Sequence, residues 1–137
     1  MRIAYFCFIT AAVAATVGMS LGIHMGMSDD FTLAPAHAHL NLLGWVTMSL
    51  YGLYYRSAPQ TYLPLAWVQV GTAALGFPAM AGGLGVYLAT GSTDYRLLII
   101  LGSLFTIGAM MMFLVVLLLH AVSLAGTSHR MPAAFSA

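Results

Sequence analysis

Four apolar stretches, each long enough to cross a bilayer as a helix, take up most of this sequence. They run roughly over residues 3–27, 35–55, 63–89 and 97–125. A spanning helix needs about 20 residues, and these stretches show no strand-like alternation. The connections are short: Ser28 to Ala34, Arg56 to Tyr62 and Thr90 to Arg96. Short connections set sequence neighbours side by side and antiparallel. The expected fold is all-α, an integral membrane four-helix up-down-up-down unit forming a single domain over residues 1–137. Composition agrees: 61% of residues are hydrophobic and 5% charged, too little charge for a soluble domain. The lipid bilayer is therefore the first partner. A net charge of +1 without any lysine argues against a nucleic-acid partner. The single cysteine, Cys7, excludes an internal disulfide and lies in an apolar run.

The first stretch begins like a signal peptide, with Arg2 and small residues at Ala12-Val13-Ala14. Its apolar character continues to Met27, past any plausible cleavage point, which predicts a retained span. Arg2, Arg56 and Arg130 fall on one side of the expected bundle. Asp29, Asp30, Asp94 and Arg96 fall on the other. The positive-inside rule then puts both termini in the cytoplasm of a bacterial inner membrane. The tail from Gly126 to Ala137 reads as a mobile end.

Against this background the stretch Pro35-Ala36-His37-Ala38-His39-Leu40-Asn41-Leu42-Leu43-Gly44-Trp45 stands out. Two of the five histidines sit at the start of an apolar span. Polar side chains within a span are costly and mark functional sites by default. The reading is that these imidazoles hold a metal, foremost the iron of a haem. His24, one turn inside the outer end of the first span, shares their level. His120 follows Leu97 by 23 residues, about 35 Å along a helix, and belongs near the inner face.

Residues two apart on an α-helix differ by about 200°. His37 and His39 therefore serve opposite faces and are not two ligands of one compact site within a chain. The α-helical period puts Asn41, Gly44, Met48, Tyr51 and Tyr55 on the His37 face. It puts Leu43, Val46, Leu50 and Leu53 on the His39 face. Gly44 would let a flat macrocycle approach the backbone, Tyr51 would hydrogen-bond within the site, and the leucines would wall it. The competing reading is a pair of interfacial histidines bonded to water, loop carbonyls or Asp29 and Asp30.

The run from Asp30 to Val46, with the later Gly52-Leu53-Tyr54-Tyr55-Arg56, resembles the haem-copper oxidase superfamily, meaning catalytic subunit I of cytochrome oxidase and nitric oxide reductase. It looks more closely like small four-span bacterial proteins described as oxidase subunit I-like. The contiguous match covers under a fifth of the chain. Subunit I arranges twelve helices as three arcs of four, and an H-x-H pair on one helix serves haems in two neighbouring compartments. The resemblance implies that a homotrimer of this chain reproduces the arcs. His37 of one subunit and His39 of the next would then ligate one haem b from opposite sides. Arg96 resembles an outer-loop arginine that pairs with haem propionates, and an ion pair with Asp94 or a lipid phosphate is the alternative. The chain lacks the oxidases' cross-linked His-Tyr copper site, their acidic proton channel and their separate copper-binding helix. A haem with both axial positions filled favours electron transfer or redox sensing, with a redox partner of unknown kind, over chemistry on oxygen or nitric oxide. No catalytic residue is assigned.

The runner-up is a copper-binding or copper-delivery protein using His24, His37, His39 and the neighbouring methionines, whose soft donors suit copper(I). Gly18, Gly22 and Gly26 form a small-residue ladder suited to tight helix packing, including packing between subunits. Pro78 in the third stretch is expected to kink it.

Overall fold

The computed structural model describes residues 2–58 and 63–128. His129 and Arg130, and with them most of the expected mobile tail, lie outside these residues. The described chain is helical, and no strand forms among its residues. Helix α1 covers Arg2–Ser28, α4 covers Leu63–Thr90 and α5 covers Arg96–Ser128. These three are long and apolar enough to cross a membrane.

The second stretch is built differently. It consists of α2 (Ala34–His39), a π-helix (Leu40–Thr47) and α3 (Met48–Ser57). The backbone stays helical across both junctions: His39 has φ −63° and ψ −42°, and Thr47 has φ −64° and ψ −43°. The chain therefore runs without a break from Ala34 to Ser57. A π-helix bonds each amide five residues back, one more than an α-helix, and is rare. Two side chains accompany the wider turns. Asn41 Nδ2 donates to the His37 carbonyl at 2.9 Å, the acceptor that the Asn41 main-chain amide takes in an α-helix. Thr47 Oγ1 donates five residues back, to the Leu42 carbonyl at 2.8 Å.

Within lipid every polar group needs a partner in the protein. Hydroxyls in the helices mostly find one a turn back in the same helix. Thr16, Thr72, Ser103 and Thr106 each donate to the carbonyl four residues earlier.

Helices pack where small residues admit them, as in membrane bundles generally. The second segment lies against α1, where Gly18 leaves room for Asn41 and Gly22 for His37. The glycine ladder of α1 thus serves packing inside the chain at Gly18 and Gly22, whereas Gly26 faces open space. Helices α4 and α5 form the closest pair, with Gly102 against the Met80 backbone and Gly76 against Phe105 and Thr106. Helix α4 continues through Pro78. The buried core joins Ile3, Cys7, Ala11 and Ala14 of α1 to Met48, Tyr51 and Tyr55 of α3 and Val70, Ala73 and Phe77 of α4.

At one end Arg56 lies beside Ala4 and Tyr5. The loop carrying Asp29 and Asp30 follows the far end of α1. Asp30 accepts from the Thr32 hydroxyl at 2.6 Å and the Thr32 amide at 2.9 Å. The Thr32 hydroxyl first, then its amide, and to a smaller extent His24, hold the Asp30 carboxyl below its ordinary range.

Candidate functional site

His37 and His39 occupy the short α2, ahead of the π-helix, and their rings leave it in different directions. His37 is half-buried and turned toward α1, with Nδ1 2.9 Å from the Gly18 carbonyl. His39 is exposed, with Nδ1 2.7 Å from the Pro35 carbonyl of its own helix. A carbonyl only accepts, so each Nδ1 carries the proton and donates it. Each Nε2 is then the bare ring nitrogen. That tautomer, fixed by a carbonyl on the other ring nitrogen, is the one metal-binding histidines adopt. Asn41 Nδ2 stands 3.5 Å from His37 Nε2, at the edge of hydrogen-bonding range, and is committed to the His37 carbonyl.

A groove of about 400 Å³ opens beside His39. Leu43, Thr47 and Tyr51 form one wall, Thr106 and Met110 of α5 the other, and Phe77 of α4 the floor. Its inner end is closed where the Tyr51 hydroxyl meets Met110 Sδ at 3.8 Å and the Tyr51 ring lies 4.7 Å from that of Phe113. His39 sits at the other end. The lining is almost wholly apolar, and its Thr47 and Thr106 hydroxyls are already donated within their own helices.

The π-helix corrects the assignment of faces. Tyr51 shares the groove with His39, not the face of His37. One extra residue per turn rotates everything downstream by about 100°, and the α-helical projection contains no such step. Gly44 also differs from its expected use. The space at its α-carbon is taken by Ala14 and Phe77, so it brings α1 and α4 to the second segment and offers no open backbone.

The remaining residues are separated. Among the described residues no group of three or more His, Cys, Asp or Glu side chains comes within metal-binding reach, so His24, His37 and His39 do not form a joint site. His24 is exposed. Arg96 is exposed at the start of α5, seven residues before the groove residue Ser103. Seven residues are two turns, about 10 Å, on the same helix face.

Sequence reasoning missed two features. The first is the π-helix, whose only written trace is an asparagine inside an apolar run. The second is Gln69, which is fully buried and accepts from the Tyr55 hydroxyl at 3.0 Å. A lone amide in an otherwise apolar third stretch was the available signal. His120, left without a role by the sequence, pairs through Nδ1 with the Tyr54 hydroxyl at 2.9 Å.

Gly18 offers a direct check on the His37 environment. A Cβ there would stand 2.6 Å from the Asn41 amide. Gly18→Val is therefore expected to drive Asn41 and His37 off α1 and to cost about 1–3 kcal/mol of stability, as overpacking does. Unfolding in detergent measures it. Comparison with protein-family models, curated proteins and solved structures finds no match to this chain.

Proposed function

We propose that this chain is a four-span, up-down-up-down membrane protein that holds haem b near its outer face and passes or senses single electrons. The observation that carries the reading is the paired tautomer: both imidazoles tie Nδ1 to a main-chain carbonyl and leave Nε2 bare. The chain's residues fit the group. His39 stands at the mouth of an apolar groove, and the threonines beside it have no free protons to offer. A haem held there supplies one-electron redox chemistry, with a potential that falls under the control of burial and ligand hydrogen bonding.

The residues divide the work. His39 supplies a ligand to the groove beside it. The Pro35 carbonyl fixes its tautomer and raises its basicity. Leu43, Phe77 and Tyr51 exclude water. Arg96, two turns above Ser103 on α5, is placed to pair with carboxylates at the outer end, where its planar fork binds them bidentately. His37 faces away from the groove of its own chain, so the second ligand comes from another copy. A closed trimer in the manner of the oxidase arcs gives each groove a His37 from its neighbour and yields equivalent sites. Both termini are cytoplasmic in this arrangement, as Arg56 beside the start of α1 supports.

Haem content and native mass test the proposal together. Purified protein is expected to carry protohaem equimolar with chain, in a trimer. Iron-free protein overturns the haem reading, and a monomer that still carries haem overturns the trimer alone.

A further inference from the structure

A second pocket lies at the end of the molecule away from the histidines. Ala4, Tyr5 and Phe8 of α1 and Arg56 of α3 line a cavity of about 100 Å³, too small for a macrocycle. Gly52 allows it to form. A Cβ there would stand 2.7 Å from the Phe8 ring, so the glycine lets α1 sit close to α3. Arg56 follows one turn later on the same face of α3. Arg2 opens α1 three residues before Tyr5, and residues at that spacing are neighbours on a helix surface.

The charges of this pocket have no counter-ion in the chain. The sequence contains three acidic residues, Asp29, Asp30 and Asp94. Asp29 and Asp30 follow the far end of α1, a helix of 27 residues and about 40 Å. Asp94 follows the far end of α4, whose start is fixed at the Arg56 end by Trp67 against Phe6. At such a distance a carboxylate is screened from Arg56. The depth of the pocket also points to lipid. Tyr5, Phe6 and Trp67 are exposed around it, and aromatic rings gather at the level of lipid headgroups. A guanidinium at that level, over an apolar floor, faces phosphates, which its planar fork binds bidentately.

We propose that the pocket between α1 and α3 binds the phosphate of an anionic phospholipid, with Arg56 as its main contact and Arg2 as a second. Basic pockets between membrane helices hold such headgroups. A zwitterionic lipid brings the same phosphate with an ammonium group, for which this end of the protein has no carboxylate. The bound lipid ties α1 to α3, and the site does not depend on what occupies the groove beside His39.

Titration of the full chain in an uncharged detergent tests it. Phosphatidylglycerol, phosphatidylcholine and inorganic phosphate are added separately, and native mass and thermal unfolding are read. One retained phosphatidylglycerol per chain is expected, bound about fivefold more tightly than phosphatidylcholine, as suits one cation at a membrane surface. Arg56→Gln should abolish that preference, and Arg2→Gln should reduce it. Equal binding of the two lipids overturns the proposal, as does a preference unchanged in Arg56→Gln. Inorganic phosphate that stabilises as well as phosphatidylglycerol overturns the lipid in favour of a free anion. Should Arg56→Gln fail to fold, the comparison of lipids on the wild type decides alone.

Discussion

Replacing His39 with alanine is expected to remove bound haem while leaving the fold intact. The side chain is exposed and bonds the Pro35 carbonyl of its own helix. Substitutions at such positions cost within about 0.5 kcal/mol. The groove would keep its walls and lose the one imidazole that lines it. His37→Ala makes the useful contrast. It removes the other expected ligand, but also a side chain packed between Gly18 and Gly22 of α1. Both variants should lose haem, and only His37→Ala should also unfold earlier in detergent. Equal haem in His39→Ala and wild type would show that the groove histidine is not a ligand. Absorbance and thermal unfolding on the same preparations give both quantities.

Gly102→Leu is expected to have the largest effect on stability. A Cβ at this position falls onto the Met80 amide and lies 2.8 Å from the Gly76 carbonyl. These are backbone atoms of α4, so no side chain can rotate away. The helices must separate, and the close α4–α5 contact is lost. Overpacking usually costs about 1–3 kcal/mol, and a clash with main chain belongs at or above the top of that range. Gly108→Leu is the control, because nothing lies within 4 Å of a Cβ there. Detergent unfolding should show a large loss for the first and little for the second. The groove shares α5 with this contact, through Thr106 and Met110, so Gly102→Leu should lower haem content as well.

Helical character and the opposed directions of the two histidines were legible in the sequence, for simple reasons. Long apolar runs without charge have few structural solutions in lipid. His37 and His39 both lie in α2, before the π-helix, so the α-helical angle between them applies unchanged. Beyond His39 the same arithmetic failed. The π-helix rotated Tyr51 from the expected His37 face into the groove beside His39. The one trace of i→i−5 bonding in Leu40–Thr47 is Asn41, and its side-chain bond to the His37 carbonyl exists only once the helix has formed. Gly44 was misread because a glycine in a span signals close approach without naming what approaches. In this chain Ala14 and Phe77 take the space. The groove was illegible because it lies among three segments that are separate in the sequence.

The central claim is that His37 and His39 are ligands of one haem shared between copies. The visible spectrum of the purified protein, oxidised and reduced, tests it most directly. A sharp Soret band and the split visible bands of a six-coordinate bis-histidine haem are predicted, with no shift of the reduced spectrum on adding carbon monoxide. Equimolar mixing of His37→Ala and His39→Ala chains should restore part of the band that each lacks alone. A protein without a Soret band, or a band unchanged in both single variants, would contradict the account.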